Sequence, residues 1–348
     1  MKSHVKSHVK SHIKSHVENR VAIIGAGVAG LRAGGLLQAQ GLAVQLFDKA
    51  RAPAGRIATR RLDFGRFDHG AQYFTARDPR FASQVTDWLE RGVVARGDAR
   101  IVSLSGGAIQ SEATPAIRYV GTPSMSGIAR DLARGLSVET GVRIASVRRA
   151  GEKWTLVTDD GLEKAGFDLL ICAVPAPQAL PFLTASDAFT LQARRAQFKP
   201  CHALMIRFAR PLELDFDAAF VKDSILAWVA QEASKPGRDP SNAWLLHSTA
   251  AWSEANLELQ ADRVLEHLCG AFEAALGRSL PGLDGASVHR WLFARASSPV
   301  LAAESFDESL GLGVCGDWLR GDRIEDAFLS AEVLAGAIGA PRDDLVAI

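Results

Sequence analysis

The sequence lacks any apolar run near the ~18 residues that a membrane-spanning helix needs. Its most apolar stretch, LLICAVPAPQALPFL, is interrupted by prolines. The chain has only four cysteines in 348 residues and no CxxC pair, so neither a metal site nor a disulfide framework is predicted. The basic N-terminus is not followed by an apolar segment, which argues against a secretory signal. We therefore expect a reduced, cytoplasmic protein with no membrane partner.

A strong excess of charge of either sign is also absent, since the formal net charge is +1. Residues 1–20 carry five of the 40 basic residues and one of the 39 acidic residues, so the rest of the chain is slightly acidic. Nothing in that remainder suggests a nucleic-acid partner.

The N-terminal residues 1–19 contain the four-residue repeat KSHVKSHVKSHIKSHV. We interpret this segment as a flexible, low-complexity tail. The alternative is a helix, on which histidines four residues apart would share one side and could bind a metal ion.

The segment VAIIGAGVAG predicts a strand that runs into a glycine-rich turn and a helix. Gly25 would allow the tight turn, Gly27 the approach of a pyrophosphate, and Gly30 close packing of the helix on the strand. A second strand, AVQLFDK, ends at Asp48, where a carboxylate can bind ribose hydroxyls. This unit is predicted to bind a dinucleotide through Gly25, Gly27, Ala29, Gly30, Asp48 and Lys49.

The loop after Asp48 continues as KARAPAGR instead of a regular helix. Arg56 in this loop could reach the pyrophosphate of an extended cofactor, although charged loop residues are usually solvated. Near the C-terminus, VCGDWLRGDRIEDAF predicts a buried strand that ends at Gly316 and Asp317, followed by a helix that begins at Ile324 or Glu325. Asp317 could bind a sugar alcohol, or it could only cap a helix.

Four segments of the chain together resemble the flavin-containing amine oxidase superfamily, and most closely its bacterial renalase-like members. These segments are GAGVAG, DKARAPAGR, DHGAQYFTARD and the terminal GD segment. This resemblance implies a two-domain, p-hydroxybenzoate-hydroxylase-like fold with non-covalent FAD. It also implies oxidation of the 2- and 6-dihydro isomers of NAD(P)H, with O2 as acceptor and hydrogen peroxide as product. The chain departs from the family pattern at Ala54 and at His69, where glycine and an apolar residue are more usual.

The resemblance extends the set of expected cofactor contacts beyond the first glycine-rich unit. In folds of this type a valine main chain meets the adenine, and Val147 in RIASVRR is the matching residue. The buried strand FDLLICAV would place Val174 and Pro175 beside the cofactor, although each segment could equally be an ordinary strand and its end. The additional cofactor residues are expected to be Arg56, Gly70, Ala71, Gln72, Tyr73, Val147, Pro175, Gly316, Asp317, Arg323, Ile324 and Glu325.

The fold class is therefore predicted to be α/β, with two domains that are discontinuous in sequence. A Rossmann-like FAD-binding domain is assigned to residues 20–76, 123–180 and 296–345. An antiparallel-sheet substrate domain is assigned to residues 77–122 and 181–295, which contain five of the seven tryptophans.

Hydride transfer to a flavin needs orientation and exclusion of water more than acid–base groups. The catalytic candidates are Gln72, Tyr73, His247 and Trp291, although a lone histidine or tryptophan in an apolar strand is often only a core residue. The substrate would be a small dinucleotide, and the oligomeric state stays open.

Two other functions stay open. An amine or polyamine oxidase would need an aromatic cage, and Tyr73 and Tyr119 are the only tyrosines of the chain. The third alternative is a non-catalytic nucleotide-binding protein.

Overall fold

The computed structural model describes residues 19–112, 116–301 and 304–339. The KSHV repeat and residues 340–345 of the expected FAD-binding domain lie outside these ranges. The described strands are β1 (Arg20–Ile24), β2 (Ala43–Asp48), β3 (Arg60–Leu62), β4 (Gly65–Phe67), β5 (Val94–Arg96), β6 (Ile101–Ser105), β7 (Ala108–Glu112), β8 (Tyr119–Gly121), β9 (Ser137–Thr140), β10 (Ile144–Ala150), β11 (Lys153–Thr158), β12 (Glu163–Phe167), β13 (Leu169–Cys172), β14 (Gln197–Phe208), β15 (Ala218–Val221), β16 (Leu226–Gln231), β17 (Ala243–Ser248), β18 (Leu283–Ser298), β19 (Phe306–Asp307) and β20 (Leu312–Val314).

The α-helices within the same residues include both helices expected from the glycine-rich and terminal segments. They are α1 (Val28–Ala39), α2 (Pro79–Glu90), α3 (Ser126–Leu132), α4 (Ala176–Ala179), α5 (Asp187–Arg195), α6 (Ala250–Ala255), α7 (Ala261–Leu276) and α8 (Ile324–Gly339). Short 3₁₀ helices cover Gly55–Ile57, Leu180–Phe182, Glu232–Ser234 and Asp317–Leu319. None of the described helices is long and apolar enough to cross a membrane.

A six-stranded sheet in the order β19-β20-β13-β1-β2-β9 forms the first layer. Its strands are parallel except for β19, and β1 lies between β13 and β2. Apolar residues of β1 are buried on both faces, as expected for a strand covered on two sides. The carboxyl ends of β1, β13 and β20 therefore meet at one edge, where ligands bind in such sheets.

The second layer is a seven-stranded, mainly antiparallel sheet in the order β18-β14-β17-β16-β15-β6-β7. The period-2 alternation of its strands separates two faces. On β17, Trp244 and Leu246 pack with one apolar cluster that includes Phe272 of α7. Ala243 and Leu245 pack with Phe67 at the end of β4. The sheet is thus covered by helix α7 on one side, and its other side packs on the β3–β4 hairpin.

The predicted two-domain α/β class is confirmed. Two helices, however, pack with a different domain from the one to which we assigned them. Helix α2, which we assigned to the substrate domain, packs with α8 in the nucleotide-domain core through Phe81 and Trp88. Helix α5, also assigned there, packs through Phe189 on the core that contains β13 and β20. Both helices are amphipathic, and such a pattern does not identify which apolar core the helix will join.

Candidate functional site

The glycine-rich turn has the geometry that a phosphate requires. Gly25 has φ +105°, and a Cβ on Gly30 would lie 2.0 Å from the Gly25 carbonyl oxygen. A Cβ on Gly27 would meet only the Gly55 Cα at 4.0 Å, so the backbone is open on this side. Helix α1 begins here without a side-chain cap or an acidic residue in its first turn. Its N-terminal N–H groups and positive dipole are therefore available to an anion.

Asp48, at the end of β2, is fixed beside this turn. Its Oδ2 accepts a hydrogen bond from Ala26 N at 2.7 Å, and its Oδ1 accepts one from Ala50 N at 2.8 Å. Lys49 follows it, and partial burial together with the charge of Arg143 lowers the Lys49 pKa. The carboxylate is thus held next to helix α1, the position of a ribose-binding acid.

Val142, which the sequence analysis missed, is the valine that contacts this strand end. Its N–H donates to the Asp48 carbonyl oxygen at 2.9 Å. The expected Val147 lies farther along β10, opposite Leu156. Both valines stand in the same extended segment, and only the loop contact with Asp48 distinguishes them. The Val142 main chain therefore lies beside the strand end that carries Asp48, and the adenine contact expected at Val147 stays a prediction.

Arg56 and Asp317, predicted from segments 261 residues apart, form a bidentate ion pair. The Nη1–Oδ2 distance is 2.8 Å and the Nη2–Oδ1 distance is 2.5 Å. Asp317 is only 3% exposed. The Arg56 carbonyl oxygen accepts a bond from Ala71 N at 2.9 Å, and a Cβ on Gly70 would lie 2.0 Å from that oxygen. Four residues predicted to bind the cofactor therefore lie together, namely Arg56, Gly70, Ala71 and Asp317.

The segments around Pro175 and Gly316 close the same region from the other side. Pro175 precedes helix α4, and a Cβ on Gly25 would lie 2.8 Å from Val174 Cγ1. Trp318 Nε1 donates to the Val174 carbonyl oxygen at 3.3 Å, and Gly316 N donates to Ser330 Oγ at 2.9 Å. These contacts join the ends of β13 and β20 to the glycine-rich turn.

Helix α8 begins at Ile324, as predicted, and the side chain of Glu325 in its first turn bonds to the backbone of another segment. The Glu325 carboxylate accepts bonds from Arg77 N and Asp78 N, both at 2.7 Å. Arg323 is partly exposed and lies 4.0 Å from Glu325 Oε2. The Glu325 side chain therefore holds the start of α2, and this is a structural role that the sequence pattern did not indicate.

Comparison with known proteins decides the family. Residues 23–90 match an NAD(P)-binding Rossmann-like domain. Residues 96–338 match the flavin containing amine oxidoreductase family, which is more than half of the chain. The chain belongs to the flavin-containing amine oxidoreductase family. It is a flavin-dependent oxidoreductase with FAD as its cofactor.

Solved structures show the same fold at low sequence identity. A proposed protoporphyrinogen oxidase from Exiguobacterium sp. 255-15 is 12% identical, with a TM-score of 0.75 and coverage of 92% of this chain and 98% of that one. A fatty acid isomerase from P. acnes is 13% identical, with a TM-score of 0.71 and coverage of 92% and 99%. An engineered putrescine oxidase is 11% identical, with a TM-score of 0.70 and coverage of 92% and 98%. Because these proteins differ in reaction, the fold alone does not identify the substrate.

A curated relative matches only locally. Hydroxyneurosporene desaturase from Rubrivivax gelatinosus is 44% identical over 59 residues. The match covers 17% of this chain and about a tenth of the relative's length, since 11% of that protein is aligned.

The residues of the cofactor region fit FAD. The turn around Gly27 provides N–H groups for a diphosphate, and Asp48 provides a carboxylate for a ribose. Arg56 and Asp317 provide a cation and hydrogen-bond acceptors between these groups and the seven-stranded sheet. Arg56 Nη1 also donates to the Ala294 carbonyl oxygen of β18 at 3.4 Å, which connects the two layers.

The flavoprotein's seven-stranded sheet presents a row of side chains to the segment that contains Gly70. The row crosses five strands in register, and neighbouring partners in register point to the same face. It comprises His289, Ala203, His247, Trp228 and Phe220. The row therefore places aromatic and imidazole groups side by side opposite the predicted site loop.

Two of the predicted catalytic residues meet at a single backbone oxygen. His247 Nε2 and Trp291 Nε1 both donate to the His69 carbonyl oxygen, at 3.1 and 2.9 Å. Burial lowers the His247 pKa to about 4. His247 is therefore neutral near pH 7 with its proton on Nε2, and its Nδ1 can accept a hydrogen bond.

Gln72 has no polar atom left for a substrate. Its Nε2 donates to the carbonyl oxygens of Asp68 and Gly70, and its Oε1 accepts from Lys235 Nζ at 3.1 Å and from Trp228 Nε1 at 3.4 Å. These bonds saturate the amide. Gln72 thus holds the loop in place, and the structure gives no direct catalytic contact for it.

Gln72 contacts a buried charge cluster, defined here as Asp68, Glu232, Lys235 and Arg238. Lys235 Nζ lies 3.0 Å from both Glu232 oxygens and 3.5 Å from Asp68 Oδ2, and Arg238 also pairs with Asp68. Burial opposes ionisation of Asp68, but Lys235 and Arg238 outweigh it and lower the Asp68 pKa. For Glu232, burial prevails and raises the pKa. Sequence analysis missed this cluster.

Tyr73 packs on Trp228, with ring centroids 5.7 Å apart, and the Arg118 guanidinium lies 5.2 Å from the Tyr73 ring centre. Tyr119 instead stacks on Phe74, the residue that follows Tyr73. Because successive residues of an extended segment point in opposite directions, the two tyrosines do not form one cage.

Proposed function

We propose that this flavoenzyme is an oxidase of dihydronicotinamide dinucleotides. Its substrates would be the 2- or 6-dihydro isomers of NAD(P)H, with O2 as second substrate, and its products NAD(P)+ and hydrogen peroxide. FAD would be bound without a covalent link. The proposal joins the motif resemblance to the charge pattern of the candidate site.

The charge pattern is the observation that carries the proposal. The two acids of the buried charge cluster, Asp68 and Glu232, are already paired with Lys235 and Arg238. The guanidinium of Arg118, over Tyr73, forms no ion pair with a carboxylate among the described residues. An ammonium substrate would find no free carboxylate here and would meet a cation. An anionic dinucleotide would be attracted.

The side chains of the row suit a flat, amide-bearing ring. Trp291, beside the row on β18, offers an aromatic surface, and His247 Nδ1 can accept a hydrogen bond from a carboxamide. A neutral imidazole orients such a group without adding charge. Bound FAD supplies the redox chemistry by accepting hydride and passing electrons to oxygen. The protein's part is to position the ring and exclude water.

An anaerobic titration of the purified holoenzyme tests the proposal. The visible flavin absorbance is recorded while 2-dihydro-NAD, 6-dihydro-NAD, ordinary NADH and putrescine are added separately. We expect rapid bleaching by at least one isomer, little by NADH, and none by putrescine. Readmission of air should restore the colour and release one equivalent of hydrogen peroxide.

Two outcomes would contradict the proposal. Bleaching by putrescine alone would make the protein an amine oxidase, which is the second function considered above. A holoenzyme that none of these compounds bleaches would favour a non-catalytic nucleotide-binding role. His247→Ala is the variant to compare, and it should slow bleaching while FAD content stays unchanged.

A further inference from the structure

Three rings and one guanidinium form a second cluster beside the row, which we name the imidazole cluster: Arg60, His69, His289 and Trp291. The ring centroids of His69 and His289 are 4.8 Å apart, those of His289 and Trp291 are 4.4 Å apart, and those of His69 and Trp291 are 4.9 Å apart. The cluster joins strand β3 and the loop after β4 to strand β18.

The polar atoms of this cluster are poorly satisfied by the protein. His69 is only 6% exposed, and its Nδ1 has no hydrogen-bond partner among the described residues. Arg60 Nη1 lies 3.4 Å from His289 Nδ1. Since a guanidinium can only donate, this Nδ1 accepts, and the proton of neutral His289 is on Nε2. The donors of the cluster are therefore the Arg60 guanidinium and the Nε2–H of His289, whereas the His69 ring bonds to the Ala58 backbone and leaves Nδ1 as an acceptor.

Arg60 is also the cluster's uncompensated charge. Throughout residues 19–112, 116–301 and 304–339, no carboxylate pairs with it, and its side-chain contact is the neutral imidazole of His289. Burial, assisted by Arg60, lowers the pKa of His289 to about 4, so the histidine is neutral near pH 7 and Arg60 carries the positive charge of the cluster. A half-buried cation without a partner is an unfavourable arrangement that an anionic ligand would relieve.

We propose that the imidazole cluster is an anion subsite that takes a phosphate of the dinucleotide substrate. The inference rests on the proposed function. His289 and His247 belong to one row and are separated by two strand spacings, or about 10 Å. A nicotinamide ring oriented at His247 would therefore have its ribose along the row and its diphosphate near Arg60. The guanidinium offers a two-pronged donor, the arrangement that phosphate oxygens prefer.

Binding of ADP-ribose, an inert probe, to the oxidised holoenzyme tests the subsite without any turnover. Isothermal titration calorimetry compares the natural protein with Arg60→Met and Arg60→Lys. We expect Arg60→Met to weaken binding by about tenfold or more, as for loss of a charge-assisted hydrogen bond, and Arg60→Lys to lie between. Arg61→Met is the matched control, because Arg61 is the exposed neighbour on the same strand, and it should bind as the natural protein does.

Steady-state kinetics supply a second readout. Arg60→Met should raise KM for the dihydro-NAD isomer by a similar factor with kcat nearly unchanged. It should leave KM unchanged for the corresponding dihydronicotinamide riboside, which has no phosphate. This split would not arise from a purely structural role.

The outcomes separate the two proposals. Equal ADP-ribose affinities for Arg60→Met and Arg61→Met would overturn the subsite, and so would loss of FAD from Arg60→Met, which would place Arg60 at the cofactor instead. Arg60-dependent binding of ADP-ribose by an enzyme that no dihydronicotinamide reduces would keep the subsite and reject the proposed oxidase function.

Discussion

His69 makes the stability of this protein depend on pH in a direction that the structure determines. Burial, with His289 and Arg60 nearby, lowers the His69 pKa from 6.5 to about 3. In the unfolded chain this histidine takes up a proton near its ordinary pKa, whereas in the folded protein it stays neutral. Its contribution is therefore fully present above pH 6.5 and is progressively lost as the pH falls toward 3.

The magnitude follows from the gap between the assay pH and 6.5. At pH 5 the gap is 1.5 units, and each unit corresponds to 1.36 kcal/mol, so His69 should account for about 2 kcal/mol of lost stability. The measurement is urea unfolding at pH 7.5 and pH 5 with a fixed FAD concentration, for the natural protein and for His69→Leu. The natural protein should lose about 2 kcal/mol more than the variant between the two pH values.

The comparison within each protein cancels the change in packing that leucine introduces. Equal losses for the natural protein and His69→Leu would refute the reasoning, because they would mean that His69 titrates alike in the folded and unfolded chains.

Three other changes have expected outcomes. Asp48→Ala should raise the Kd for FAD by at least about tenfold, measured by fluorescence titration, since it removes the acceptor at the ribose position. Gly30→Ala should prevent FAD binding, because the added Cβ would lie 2.0 Å from the Gly25 carbonyl oxygen. Gly35→Ala is the control in the same helix: its Cβ has no atom within 4 Å, so the better helix former should raise the free energy of unfolding by about 0.5–1 kcal/mol. Lys235→Met should lower the free energy of unfolding by about 3–5 kcal/mol, because it leaves Glu232 buried without its partner, and adding Glu232→Gln should recover part of the loss in the same denaturation assay.

Much of the cofactor half could be predicted from the sequence, because its signals are local. The glycine spacing, the acid at the end of β2 and the strand–loop–helix that leads into α8 each depend on neighbouring residues. Parallel strands bring their carboxyl ends together, so segments recognised separately converge at one edge. The ion pair between Arg56 and Asp317 forms where two of these segments meet. The contact of Val142 with the end of β2 was not predicted, since it depends on how the loop before β10 packs on Asp48.

By itself, then, the sequence determined the two-domain class, the glycine-rich turn and FAD as the cofactor, and it supplied the residues that we propose for the flavin site. Only the tertiary structure decided how the substrate side is arranged. The buried charge cluster joins Asp68 to Lys235 and Arg238 across more than 160 residues, and the row that contains His247 exists only through the pairing of five strands. Strand partners and buried ion pairs are chosen by the packing of distant segments, for which a linear pattern of residues carries no signal.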